Sequence, residues 1–376
     1  MILRYISSQI EHWLFKEKVL VLYGPRQVGK TTLAKALLEK HGESTDYYSC
    51  DLINVREIIE RKDPKLLAEY TRGAKLFVLD EAQQVRDIGL SLKLFHDAYP
   101  STQVIATGSS SFDLANKLNE PLTGRSIEFV LYPFSLHEVE KSESRFDLDR
   151  RIETMMRFGS YPDVALTENI ADRETLLQSL ASNYLYKDVL MFENLRKPAL
   201  LLDLLKLLAL QLGNEVSVHE LAVKLGVGVA TIRRYIELLE KSFVLFPLRP
   251  LSRNLRNEIG KKYKLYFYDL GIRNTLIDRT VALDLRDDVG ALWENFCILE
   301  RKKWNQRKGL SPNMYFWRTH TGKEIDYIEE HAGSLHGYEF KWGEGKYKTP
   351  QEFLIAYKGS ALKVVRKSNW WEFLPE

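Results

Sequence analysis

Short apolar runs alternate with helix-length amphipathic text over the first third of the chain. Val19-Leu20-Val21-Leu22-Tyr23 is unbroken, partly β-branched and stops at Gly24, the pattern of a strand buried on both faces. From Lys30 onward Leu33, Leu37 and Lys40 recur at turn spacing until Gly42, which predicts a helix and its stop. Apolar runs at 46–50, 76–79 and 103–107 predict three more strands, and 126–131 alternates before Pro133 as the last. Strands separated by helix-length segments predict an α/β fold on a parallel sheet.

Beyond this sheet the text changes character. Residues 135–197 read as helical and charged, broken at Gly159-Ser160-Tyr161-Pro162, and 198–242 as a second helical block leading into a strand from Phe243 to Leu248. Strands are expected at 263–268, 315–317, 325–328 and 337–340, with a helix over 290–304. The predicted division is therefore 1–134, 135–197, 198–255 and 256–376. A length of 376 residues agrees with more than one core.

Composition narrows the class. With 45% hydrophobic and 28% charged residues the chain is neither disordered nor membrane-spanning in character. Its most apolar stretch, 199–212, is interrupted by Asp203 and Lys206, and Glu11 and His12 interrupt the N-terminus before a signal-peptide core forms. Two distant cysteines, Cys50 and Cys297, argue against a disulfide framework or zinc finger, so a reducing cytoplasm without membrane partners is expected. The net charge of +3 excludes nothing by itself.

Gly24-Pro25-Arg26-Gln27-Val28-Gly29-Lys30-Thr31-Thr32 carries the chemistry of a phosphate-binding loop. Two glycines four residues apart let backbone N–H groups wrap a β-phosphate at the positive end of the following helix. Lys30 would reach the β- and γ-phosphates of ATP or GTP, and the Thr31 hydroxyl would ligate Mg²⁺. Leu76-Phe77-Val78-Leu79-Asp80-Glu81 ends a strand in two carboxylates: Asp80 would hold Mg²⁺ through water, and Glu81 would polarise the attacking water. Hydroxyls at Ser109, Ser110 and Ser111 follow another strand and either sense a γ-phosphate or cap a helix. Arg125 precedes the last strand, and is either a surface arginine or a finger for the phosphate bound by a neighbouring subunit, which would require a homo-oligomer.

At these positions the chain resembles the AAA-type P-loop ATPases, in particular a bacterial and archaeal family that joins an ATPase core to a C-terminal domain of restriction-endonuclease (PD-(D/E)xK) type. The resemblance rests on residues 24–32, Val78-Leu79-Asp80-Glu81-Ala82-Gln83, Thr107-Gly108-Ser109, Leu122-Thr123-Gly124-Arg125 and Gly159-Ser160-Tyr161-Pro162. It implies a sensor at Ser109 and a helical lid whose Tyr161-Pro162 element lies near the adenine. It also implies that residues 1–134 are the ATPase core and 135–197 the lid.

Ser217-Val218-His219-Glu220 is a capping box opening one short helix, Gly226-Val227-Gly228 turns the chain, and Val229, Ile232, Ile236 and Leu239 mark one face of a second. With the strand that follows, this predicts a winged helix over 198–255. Arg233 and Arg234 fall off the apolar face, where they would meet DNA phosphates or base edges. Residues 224–264 hold ten Lys and Arg against three acids, a local charge of +7 in an otherwise mildly acidic chain. A winged helix also serves as a protein-binding module, so a protein partner is the other reading.

Glu324-Ile325-Asp326 alternates, and Tyr338-Glu339-Phe340-Lys341 follows in the same sense. Asp326 and Glu339 would share a divalent metal, Lys341 would orient the attacking water, and Glu294 would complete a phosphodiester-cleaving cluster. Solvated acids and a salt bridge on strand edges are the other reading. Three functions are thereby expected: an ATP-hydrolysing switch or motor acting on or near DNA, a nucleotide-gated protein-interaction switch, or a Mg²⁺-dependent nuclease.

Overall fold

In the computed structural model, which describes residues 2–42, 44–109, 122–139, 145–184, 198–251, 263–319, 321–345 and 347–375, the apolar runs of the N-terminal third become five strands. They are β1 (Val19–Tyr23), β2 (Thr45–Ser49), β3 (Leu76–Asp80), β4 (Gln103–Gly108) and β5 (Ser126–Val130), all parallel, in the order β2-β3-β4-β1-β5. Every residue of β1, β3 and β4 is buried, which is why these runs lack alternation. The connecting helices are α1 (Ile6–Trp13), α2 (Lys30–His41), α3 (Ile53–Glu60), α4 (Pro64–Tyr70) and α5 (Ile88–Ala98). A parallel sheet with these helices and a loop between β1 and α2 is the architecture of a P-loop NTPase domain. By contact, Met1–Phe134 with Lys241–Phe243 forms one unit, and Ser135–Glu240 with Val244–Glu376 the other.

The second unit opens with helices α6 (Leu136–Val139), α7 (Arg145–Phe158), α8 (Pro162–Leu166) and α9 (Ile170–Tyr184). Gly159, at φ +73°, breaks the chain between α7 and α8, and a Cβ there would overlap the Asp269 carboxylate. That carboxylate accepts the Ser160 N–H at 2.7 Å and caps α13 (Leu270–Leu276) through the Ile272 N–H at 3.0 Å. The Gly159 to Pro162 element is thus fixed by a buried acid more than a hundred residues away in sequence.

Next come α10 (Pro198–Leu210), β6 (Glu215–Val216), α11 (Val218–Leu225) and α12 (Val229–Lys241). Ser217 caps α11, accepting the Glu220 N–H at 3.3 Å, and Gly226 ends it in the left-handed region. A seven-stranded sheet follows from β7 (Leu245–Pro250), β8 (Tyr263–Phe267), β9 (Asn313–Arg318), β10 (Glu324–His331), β11 (Ser334–Lys341) and β12 (Ala361–Arg366), ordered β12-β11-β10-β9-β7-β8-β6. Strand β7 pairs antiparallel with β8 and parallel with β9, so the sheet crosses the boundary expected between 255 and 256. β7 begins at Leu245 instead of Phe243, because Phe243 sits at φ +57°, outside strand geometry.

Helix α14 (Val289–Arg307) runs over the residues where a helix was expected, with α15 (Gln351–Ala356) and α16 (Trp370–Phe373) near the C-terminus. Trp293, Trp317 and Trp370 are buried core side chains. Both cysteines are free and buried. Among the described residues, no helix is long and apolar enough to cross a membrane.

Candidate functional site

The phosphate-binding loop lies where β1 hands over to α2. Gly24 adopts φ +150°, and a Cβ there would stand 2.3 Å from the Leu131 carbonyl oxygen, so the loop passes against the segment after β5 at a distance only glycine permits. Gly29, at φ +94°, caps α2 without a side-chain acceptor and leaves the first-turn N–H groups to an anion. Arg4 braces the loop: its guanidinium donates to the Val28 carbonyl at 2.8 Å and the Tyr132 carbonyl at 2.5 Å and stacks on Phe134. Lys30 is buried, with Nζ 2.8 Å from both the Gly24 and Pro25 carbonyl oxygens. Its ammonium therefore sits over the loop that would receive the phosphates.

Asp80 ends β3 two strands from β1, and the parallel sheet brings both ends to one edge. Its carboxylate accepts the Thr31 hydroxyl at 2.8 Å and the Tyr47 hydroxyl at 2.5 Å through Oδ2, and the Thr107 hydroxyl through Oδ1. Burial and the Asp80 carboxylate push the Tyr47 phenol well up, so it remains a donor. Thr31 and Asp80 together are a hard-oxygen pair of the type that suits Mg²⁺ beside a phosphate. The residues fit both groups that the loop implies: N–H donors and an ammonium for a triphosphate, a hydroxyl and a carboxylate for the metal.

Glu81 leaves the strand abruptly at φ +53°, ψ +42°, a conformation costing about 1 kcal/mol or more in a non-glycine residue. Its N–H is held by the Thr107 hydroxyl at 3.2 Å. Gln83 Nε2 donates both to Glu81 Oε2 and to Ser109 Oγ, the latter at 3.2 Å, which joins the two residues expected to act on the terminal phosphate. Cys50 stands near these acids, but burial, then the Asp80 charge, pushes its thiol up to about 12, too high for a nucleophile.

Arg125 lies at the opposite edge of the sheet. Its carbonyl accepts the Val19 N–H at 2.8 Å, at the start of β1, and its guanidinium makes an exposed two-point pair with Asp97, Nε to Oδ1 being 2.7 Å. Five residues of strand, about 17 Å, separate that edge from the loop. Tyr161 is buried and Pro162 opens α8 in the second unit. Arg233 and Arg234 are exposed on α12, and His219 is exposed on α11. Of the residues behind the local charge of +7, Arg253, Arg256, Glu258, Lys261 and Lys262 lie outside the described residues, as do Ser110 and Ser111. Lys264 is a correction to that count: it is 2% exposed and cannot belong to a surface patch.

Lys264 instead enters a cavity of about 700 Å³ in the second unit, lined by Glu294, Glu324, Asp326, Glu339 and Lys341 among others. Four predicted residues, Glu294, Asp326, Glu339 and Lys341, are thus brought together, Glu294 from helix α14 and the other three by strand alternation. Asp326 and Glu339 flank the Tyr327 and Tyr338 cross-strand pair and share a face. Burial, then the Asp326 charge, pushes Glu294 up to about 7. The same two causes raise Glu339, and burial raises Asp326. Among the described residues, no three His, Cys, Asp or Glu side chains stand grouped as metal ligands.

Arg4 and Tyr47 carried no signal in the sequence, Lys264 read as one cation of a basic stretch, and Gln83 and Thr107 stood within the quoted motifs without an assigned role. Residues 16–140 match a family described as an AAA domain, while 149–283 and 289–369 match two families described as domains of unknown function. An uncharacterized protein of Mycobacterium tuberculosis is 28% identical over 342 residues, covering 90% of this chain and 73% of that protein. An uncharacterized protein of Methanocaldococcus jannaschii is 23% identical over 86% of this chain and 75% of its own length. One from Haemophilus influenzae is 22% identical over 94% of this chain and 90% of its own.

Proposed function

We propose that this chain is an ATP-hydrolysing AAA-type switch or motor that acts on or near DNA. One observation carries the reading: the Thr31 hydroxyl and the Asp80 carboxylate, 2.8 Å apart, stand beside a glycine-bounded phosphate loop at one sheet edge. Lys30 turns from the loop carbonyls to the β- and γ-phosphates. Thr31 would ligate Mg²⁺ and Asp80 would hold it through water, and the ion would neutralise charge on the phosphates. Glu81 accepts the proton of the attacking water, and Gln83 positions its carboxylate while Ser109 senses the γ-phosphate. Arg125 is too far from its own loop and acts on the site of a second copy in a homo-oligomer.

The DNA arm rests on α11 and α12 followed by the antiparallel strands β7 and β8, with β6 completing a three-stranded set, the order of elements in a winged helix. Exposed Arg233 and Arg234 supply phosphate contacts. The test is ATP turnover with and without DNA, together with DNA affinity across salt concentrations. Arg233→Ala with Arg234→Ala is expected to lower the salt slope by about two and to remove stimulation by DNA. Unchanged affinity, slope and turnover would replace this reading with a nucleotide-gated switch for a protein partner. The acidic cavity supports a nuclease-type site, with Asp326 and Glu339 toward a metal and Lys341 toward the water. Plasmid cleavage lost in Asp326→Ala and in Lys341→Ala would demonstrate it.

A further inference from the structure

Lys264 is the deepest cation of the acidic cavity. Nζ lies 3.0 Å from Glu294 Oε1 and 2.5 Å from Glu324 Oε1. Burial works against its charge, but Glu294, Glu324 and Asp326 outweigh it and hold the ammonium protonated. The Tyr266 hydroxyl donates to the same Glu294 oxygen at 2.5 Å. Glu294 and Glu324 thus have their charge answered from within the chain, by a side chain that cannot swing into solvent.

Asp326 and Glu339 are treated differently. Asp326 Oδ2 accepts the Phe340 N–H at 2.9 Å. Glu339 Oε1 pairs with half-exposed Lys341 at 2.8 Å. Glu339 Oε2, on a residue only 5% exposed, and the hydroxyl of Tyr347 that interacts with Glu339 in the same cavity both lack a hydrogen bond of normal geometry among the described residues. A buried carboxylate oxygen without a well-formed hydrogen bond is costly unless a ligand completes it, and a hard divalent cation is the ligand such oxygens take.

We propose that Lys264 is a permanent internal counter-cation that withholds Glu294 and Glu324 from metal, so that the cavity takes one divalent cation on Asp326 and Glu339 alone. The proposal rests on the nuclease-type reading of the cavity and deepens it by naming which acids ligate. It predicts a weak, single site, because two carboxylates and water hold a cation less firmly than a four-carboxylate cluster would.

The test is Mn²⁺ binding to the nucleotide-free full chain, followed by calorimetry and by electron paramagnetic resonance. Asp326→Asn and Glu339→Gln are each expected to abolish the cavity's binding event, and Glu294→Gln to leave it unchanged. Lys264→Met, by removing a positive charge from the cavity and releasing two acids, is expected to tighten it about tenfold or more. Thermal melting checks that each variant is folded, and the isosteric Glu294→Gln keeps the test decisive if Lys264→Met is not. Loss of Mn²⁺ in Glu294→Gln equal to that in Asp326→Asn would overturn the proposal alone. Indifference to Asp326→Asn and Glu339→Gln would overturn the metal reading and the proposal with it.

Discussion

Replacing Asp80 by asparagine separates the two tasks of this carboxylate, holding the sheet edge together and holding a metal. The carboxylate accepts three hydroxyls, from Thr31, Tyr47 and Thr107. In Asp80→Asn the amide oxygen still accepts Thr31 and Tyr47, while the amide nitrogen turns to Thr107, whose hydroxyl has lone pairs to receive it. Three charge-assisted bonds become neutral ones, each weaker by about 0.5–1 kcal/mol, so the expected loss of stability is about 2 kcal/mol. The metal task is lost more completely, since an amide is a poor partner for Mg²⁺ or for its bound water. Urea denaturation of the nucleotide-free protein measures the first quantity, and ATP titration in Mg²⁺ against ATP titration in EDTA measures the second. The parent is expected to bind ATP more tightly in Mg²⁺ and Asp80→Asn to bind alike in both. An undiminished Mg²⁺ effect in Asp80→Asn would refute the assignment of Asp80 to the metal.

Further outcomes follow from the same geometry. Gly24→Ala drives a Cβ into the Leu131 carbonyl and is expected to destabilise the protein by more than about 3 kcal/mol, seen as a large fall in melting temperature. Glu329 accepts from Arg301, Asn305 and Tyr327, so Glu329→Leu strands the largely buried guanidinium at a cost of about 3–5 kcal/mol by denaturant titration. Asp269 is pushed up to about 6 by burial, so the folded state holds its proton more tightly than the unfolded state does. Its contribution therefore opposes folding increasingly from about pH 4 to pH 6, by up to about 3 kcal/mol, and is absent below that range. Asp269→Asn is expected to flatten that part of the curve of stability against pH.

The parts of this molecule written in the sequence are those whose signal is local. The phosphate loop is legible because its glycines, lysine and threonine must follow one another, and β1, β3 and β4 because a strand buried on both faces is an unbroken apolar run. What surrounds Asp80 is not local: Tyr47 and Thr107 arrive from β2 and β4, and only the sheet order makes them neighbours of β3. Arg4 likewise meets the loop across more than twenty residues. The alternation of Glu324, Asp326, Glu339 and Lys341 predicted their shared face, but Lys264 read as one basic residue in a basic stretch. Burial between two acids changes its meaning from surface charge to counter-ion.

Turnover of ATP by the full chain in Mg²⁺, measured for the parent, Lys30→Ala and Glu81→Gln, tests the account most directly. It predicts that Glu81→Gln binds ATP as the parent does yet turns it over at least about a hundredfold more slowly, and that Lys30→Ala neither binds nor hydrolyses it. Parent-like hydrolysis by Lys30→Ala, or by Glu81→Gln, would contradict it.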